Sequence, residues 1–240
     1  MTLQEQNQTR WQNCHVPADK GPAFAAVANR LTSPVAKARY QSVEKLTGVP
    51  WWFIAVVHER EASQNWNTQL GQGDPLSRKS IHVPKGRGPF STWEEGAVDA
   101  LVNCPPHASK NTDWSPGGAL TMLEKYNGLG YANKGLPSPY VWAGTDQYSK
   151  GKYVADGVYD PDAVDSQLGC AGLLKFMNVF KPTVSGAGPI IVAGGTAVGY
   201  SYWSTFEAHW ILYSLGLIAV AIIVETLIYK YRNRKTNNVG

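Results

Sequence analysis

Cysteine is scarce in this chain, and the cysteines present do not form a set. Cys14, Cys104 and Cys170 are an odd number, so complete internal disulfide pairing is excluded. No Cys-x-x-Cys or Cys/His spacing marks a zinc site, so we expect buried thiols, at most one disulfide, no metal and no other cofactor. Net charge is small too, with 22 Lys and Arg against 18 Asp and Glu. The formal net charge of +4 is carried by Lys230, Arg232, Arg234 and Lys235, and residues 1–229 sum to about zero. The body of the chain therefore has no basic footprint for nucleic acid. Missing as well are a GxxxxGK[ST] phosphate loop and a nucleophile elbow set between strand and helix. The opening Met-Thr-Leu-Gln-Glu-Gln-Asn-Gln has no basic start and no apolar core, so no secretory signal is expected.

Aromatic residues are plentiful: nine Trp and twelve Tyr suffice both for a core and for stacking on flat ligands. The run from Val49 to Ser63 contains the most informative segment. Pro50 suits the first turn of a helix, and Trp51–Val57 carries no charge, so this helix must be buried on most faces. His58, Glu59 and Glu61 then lie where a buried helix emerges, which predicts a cleft. A carboxyl there is desolvated, its pKa rises, and it becomes fit for general-acid work. Glu59 and Glu61 are two apart and point about 200° from one another, so only one faces a given cleft. Glu61 continues the face of Ile54, Val57 and His58 and is favoured. Two solvated acids beside Arg60 would give the same sequence.

Asp74 follows in Gly71-Gln-Gly-Asp-Pro-Leu76. It reads equally as an Asx-turn and as a solvated carboxylate opposite a desolvated one, the pairing glycosidases use. Tyr126-Asn-Gly-Leu-Gly-Tyr131 and Ser138-Pro-Tyr-Val-Trp142 put Tyr126, Asn127, Tyr131, Tyr140 and Trp142 forward as saccharide contacts, with core packing the alternative for the rings. His58 joins them as a candidate at the cleft. Neither His58 nor His82 has a partner at metal-ligand spacing, and a hydrogen-bonded histidine is the plainer reading of both.

Residues 1–20 read as polar and frayed; one or two helices are expected over 22–46, broken near Ser33-Pro34, and the buried helix over 50–62. Residues 64–92 lack helical periodicity and read as a small irregular sheet or hairpin, with Ser80-Ile-His-Val83 a short strand. Thr92 with Glu95 is a capping-box pattern opening a helix that Pro105-Pro106 stops. A further helix covers about 115–126 and ends at Asn127-Gly128. Residues 127–160 read as a long functional loop, followed by a last helix over 161–180 capped by Asp160. Ile211–Tyr229 holds a single charge, Glu225, and is long enough to span a bilayer core of about 30 Å, with Tyr213 and Tyr229 near its interfaces.

Phe53-Ile-Ala-Val-Val-His-Glu-Arg-Glu-Ala-Ser63 resembles the catalytic helix of the lysozyme-like superfamily. Goose-type lysozymes and soluble lytic transglycosylases place their catalytic Glu in a Glu-Ser context there; in this chain Ala62 stands between Glu61 and Ser63. Tyr126-Asn127-Gly128 resembles the Tyr-Asn segment of that superfamily's cleft. More closely, Gly73-Asp-Pro-Leu76, His82-Val-Pro-Lys-Gly-Arg87, Thr92-Trp-Glu-Glu95, Tyr126–Tyr131, Ser138-Pro-Tyr140 and Gly151-Lys-Tyr-Val-Ala-Asp-Gly157 resemble, in order, a group of bacterial and phage lysozyme-family proteins over about residues 40–180. The resemblance implies a mainly α (α+β) lysozyme-like domain acting on the β-1,4 glycan of peptidoglycan, with Glu61 the acid and Glu59 the fallback. It identifies no second carboxylate; Asp74 stands on chemistry alone.

The expected layout is a catalytic domain over 1–183, a Gly-rich linker over 184–209, a transmembrane helix over 210–229 and a basic tail over 230–240. Positive-inside logic puts the tail in the cytoplasm and the domain in the periplasm of a single-pass protein. Expected partners are peptidoglycan strands and the membrane, with no nucleic acid. The expected activity is muramidase-type hydrolysis, in phage lysis or cell-wall remodelling. A single-Glu lytic transglycosylase and a non-catalytic membrane-anchored wall-binding module are the alternatives.

Overall fold

The uncharged run after Pro50 does become a buried helix, and the other elements are arranged around it. The computed structural model describes residues 1–180. In chain order they form α1 (Leu3–Asn13), α2 (Gly21–Leu31), α3 (Pro34–Thr47), α4 (Trp51–Ala62), α5 (Trp93–Val102), a short 3-10 turn (Ala108–Lys110), α6 (Pro116–Asn127), α7 (Gly130–Asn133), α8 (Pro139–Trp142), β1 (Lys152–Ala155), β2 (Val158–Asp160) and α9 (Cys170–Phe176). About half of these residues are helical and one two-stranded sheet is present, so the class is mainly α, α+β.

In α4 every side chain from Phe53 to His58 is fully buried. The helix stops at Ser63, which turns left-handed (φ 50°) and whose N–H closes on the Glu59 carbonyl. α3 and α9 pack against α4; α9 also lies on α2 and α8. α3 and α6 each carry Pro at the first turn, where no N–H is needed. Thr92 caps α5 through the Glu95 N–H at 3.2 Å, while the Glu95 carboxylate reaches one residue further back, to the Ser91 N–H at 2.8 Å.

Four expectations are corrected. The first twenty residues are not frayed: α1 opens with a Thr2/Glu5 capping box and packs on α6. Its docking is polar. Asn7 donates to Thr121 Oγ1 at 3.1 Å, and Gln8 Oε1 accepts the Gly117 N–H at 2.9 Å. A Cβ on Gly117 would meet the Gln4 carbonyl at 2.9 Å, so the close approach of the two helices depends on glycine there. Polar docking leaves no apolar stripe for periodicity to detect.

Residues 64–92 form no sheet. Thr68 and Pro75 make one isolated bridge, and Ser80–Val83 lies in a loop held by hydrogen bonds to its own turns. The sheet is further on, inside the stretch expected to be loop. β1 and β2 pair antiparallel through Tyr153↔Tyr159, around Asp156-Gly157 with Gly157 at φ 69°. The last helix is shorter than expected. Asp160 accepts the Asp162 and Ala163 N–H groups in a turn, and α9 begins only at Cys170. A Cβ on Gly169 would meet the Val141 carbonyl at 2.6 Å, so the chain passes α8 too closely for another residue.

All three cysteines are free and buried. Among the described residues no helix is long and apolar enough to cross a membrane. The expected domain end at 183, the linker, the transmembrane helix over 210–229 and the basic tail lie outside the described residues.

Candidate active site

The last turn of α4 delivers Glu61 to a cavity of about 600 Å³. The other walls come from the α6–α7 turn (Asn127 to Tyr131), from Pro139 and Tyr140 of α8, from the β hairpin (Lys152 to Gly157) and from Asp165 and Gln167. Tyr140 donates its hydroxyl to Glu61 Oε1 at 2.9 Å. Burial pushes the Glu61 carboxyl up to about 7, against the opposing pull of that hydrogen bond and of the Arg60 charge. A carboxyl in this state keeps its proton up to about neutral pH, where it begins to titrate, and it faces open volume.

Glu59 lies elsewhere. Arg30 holds both of its oxygens, at 3.0 and 2.8 Å, and also reaches the Ser63 carbonyl and Gln64 Oε1. The two glutamates thus have different work: Glu59 ties the end of α4 to α2, and Glu61 faces the cavity. The 200° separation between them is realised.

Beside Glu61 runs a buried ionic network. Asp165 takes Arg60 at 2.8 Å on one oxygen and Lys152 at 3.1 Å on the other, and its N–H donates to the Tyr148 hydroxyl at 3.1 Å. Burial raises the Asp165 carboxyl, but the Arg60 and Lys152 contacts outweigh it and hold the group below the usual range. The Arg60 guanidinium lies 4.9 Å from the Tyr140 ring centroid, so the same network braces the residue that touches Glu61. The hairpin is fixed at its base, where the Tyr131 hydroxyl accepts the Tyr153 N–H at 2.9 Å and the rings of Tyr131, Tyr153 and Tyr159 meet edge to face.

Of the residues put forward from sequence, Glu61, Asn127, Tyr131 and Tyr140 line this cavity together. Four do not. His58 is fully buried in an aromatic nest, its ring centre 4.5 Å from that of Trp93 and 4.7 Å from that of Trp66. Its Nε2–H donates to the Asn65 carbonyl at 3.1 Å, which leaves Nδ1 to accept from the Tyr40 hydroxyl at 3.1 Å. Burial lowers its pKa to about 4, so it is a neutral core histidine and no substrate contact.

Asp74 is turned away from the cavity. It accepts the N–H groups of Ile81 and His82 at 2.9 and 3.0 Å and the His82 ring at 2.9 Å. Burial raises this carboxyl, yet the His82 and Ile81 bonds prevail and keep it below its ordinary value. Its work is to organise a loop. Tyr126 packs its ring on Phe53, with its hydroxyl driven upward by burial, and Trp142 is wholly within the core.

Sequence reasoning missed Arg60, Lys152, Tyr153 and Asp165, whose partners are far apart in the chain. It also missed Glu124, which is 2 % exposed on α6 and faces Ser138 and Trp142. A signal existed: Glu124 stands four residues after Leu120 and next to Leu123, on the apolar stripe of its helix. Burial pushes its carboxyl up to about 7, partly offset by Ser138, Arg10 and Trp142. A raised folded-state pKa gives stability that is full below the unfolded value of about 4.5 and lost as pH rises through about 7. Glu124→Gln should therefore gain on the wild type between pH 5 and pH 8, by on the order of 3 kcal/mol. Urea unfolding of both proteins at the two pH values checks this; a pH-independent difference would contradict it.

No group of three His, Cys, Asp or Glu side chains able to hold a metal ion occurs among the described residues. Comparison with known proteins returns nothing: no family model, no curated protein and no solved structure matches this chain.

Proposed function

We propose that this chain is a glycan-cleaving enzyme of the lysozyme kind, acting on the β-1,4 glycan of peptidoglycan, with Glu61 as its general acid. One observation carries the proposal. A carboxyl that retains its proton to about pH 7 faces a cavity large enough for sugar rings and is gripped by a tyrosine hydroxyl. The lysozyme-like resemblance of the residues in α4, Tyr126–Tyr131 and Gly151–Gly157 leads to the same reading, to which the fold adds only its coarse class, mainly α with one small sheet. In the reaction Glu61 gives its proton to the glycosidic oxygen, the C1–O bond breaks, and C1 takes on oxocarbenium character. The carboxylate left behind then removes a proton from whatever attacks C1.

The attacking group separates two routes. Asp74 is engaged away from the cavity and Asp165 is held by Arg60 and Lys152, which favours a single-carboxylate route in which the sugar's own 6-hydroxyl attacks. That is lytic transglycosylase chemistry. A hydrolytic route would draw on Asp156, an exposed carboxylate at the hairpin turn on the cavity wall. The proposed setting is the periplasmic face of a membrane, with Ile211–Tyr229 as a single anchor and the basic tail in the cytoplasm.

Release of soluble fragments from dye-labelled sacculi, followed from pH 5 to pH 9, tests the proposal. Activity should fall as pH rises through about 7, because the acid must be protonated. Tyr140→Phe removes a hydrogen bond that lowers the Glu61 pKa, so its falling limb should move to higher pH while the maximal rate drops. A limb that stays in place would detach Tyr140 and Glu61 from the rate. Sacculi bound but never cleaved at any pH would leave the chain as a wall-binding module.

A further inference from the structure

The segment from Pro75 to Trp93 carries Arg78, Lys79, Lys85 and Arg87 and no acid. Arg87 pairs with Asp99, and His82 with Asp74. Arg78, Lys79 and Lys85 are exposed and form no salt bridge among the described residues. Between them Ile81 is 70 % and Val83 80 % exposed. A single exposed aliphatic residue is ordinary on a protein surface. This pair differs because the backbone beneath it is fixed.

Ser80 closes the loop. Its N–H donates to the Arg87 carbonyl at 2.8 Å, its carbonyl accepts the Gly86 N–H at 2.9 Å, and its hydroxyl donates to the Pro84 carbonyl at 2.7 Å while accepting the Arg87 N–H at 2.9 Å. Asp74 takes the N–H groups of Ile81 and His82 from within. These bonds fix the backbone of the loop, while the side chains of Ile81 and Val83 stay exposed. No other part of the described fold covers them.

We propose that the loop Ser77–Gly88 docks on an anionic lipid surface. Ile81 and Val83 enter the boundary between headgroups and acyl chains, and Arg78, Lys79 and Lys85 lie over acidic headgroups. The chemistry favours lipid over glycan: sugar faces stack on aromatic rings, and the loop has no Phe, Tyr or Trp. It also favours lipid over a protein partner. Two exposed aliphatic side chains flanked in the chain by exposed cations suit a fluid apolar phase with a negative surface, which needs no matching pocket. Such docking would orient the domain at the membrane, and it stands or falls independently of the glycan-cleaving reading.

The test uses the full chain reconstituted with vesicles of phosphatidylglycerol or of phosphatidylcholine. The three native cysteines are buried, so Val83→Cys accepts a polarity-sensitive fluorophore at one site; Val35→Cys, at a position 76 % exposed on α3, is the control. The label at 83 should shift to the blue in phosphatidylglycerol only, should return towards its aqueous spectrum in about 0.5 M salt, and should shift less when Lys79 and Lys85 are both replaced by Gln. The label at 35 should not respond. No shift at 83 in either lipid, equal shifts at 35 and 83, or a shift at 83 caused by soluble peptidoglycan fragments without lipid would each overturn the proposal. The last result would make the loop a wall of the glycan groove instead.

Discussion

Glu61→Gln should lower glycan cleavage by about 10²–10⁴-fold, the usual worth of a positioned general acid, while leaving fold and glycan binding in place. The amide has the shape of the protonated carboxyl and can still accept the Tyr140 hydroxyl, so the cavity keeps its form. What is lost is the proton. Burial already favours the neutral side chain, so the substitution should cost little stability below pH 7. Co-sedimentation with sacculi and circular dichroism check binding and fold beside the rate. Glu59→Gln should show the opposite pattern. It weakens the Arg30 contacts that tie α4 to α2, and should lower the melting temperature while changing the rate only a few-fold. Near wild-type cleavage by Glu61→Gln would remove this residue from the chemistry.

The largest effect on stability is expected from Asp165→Ala. Asp165 and Arg60 are both buried, at 3 % and 6 % side-chain exposure, and they bond at 2.8 Å. Removing the carboxylate leaves the Arg60 charge buried without its partner, and Lys152 without its anchor. Breaking a buried pair in this way costs about 3–5 kcal/mol, a drop in melting temperature of roughly 10 °C for a domain of this size. The double variant Arg60→Met with Asp165→Leu should be less damaged than Asp165→Ala, because no unpaired charge remains at that position. Thermal melts of the single and double variants decide it; a double variant no better than the single would show that the charges are not what holds this wall. Tyr140 packs against Arg60, so Asp165→Ala should also slow cleavage.

What the sequence makes legible is what short-range patterns encode. The uncharged run Trp51–Val57 fixes α4 and its burial, Thr92 and Pro116 mark two helix starts, and the angular separation of Glu59 from Glu61 puts only one of them on the cavity. What stays illegible depends on partners distant in the chain. α1 docks through Asn7 and Gln8, which carry no hydrophobic signal. Arg60 finds Asp165 across more than a hundred residues. His58 and Trp142 have the same residue types as a saccharide groove would, and only the folded environment shows that both are core. The β hairpin is a different case. Asp156-Gly157 between Tyr-Val-Ala and Val-Tyr is a hairpin signal in its own right, obscured because the surrounding Gly-rich stretch reads as loop. Asp74 fails for a physical reason: a turn aspartate and a second catalytic carboxylate share a sequence and differ only in which donors reach the side chain.

Whether the Glu61 proton breaks a glycosidic bond can be read from mass spectrometry of the soluble products of purified sacculi, digested in parallel by the wild type and by Glu61→Gln. Transfer of that proton should give disaccharide-peptides cut at the β-1,4 linkage from the wild type, ending in 1,6-anhydro sugars if the sugar's own hydroxyl attacks and in reducing ends if water does, and none from the variant. Fragments released only by cuts in the peptide stems, or the same saccharide products from both proteins, would contradict it.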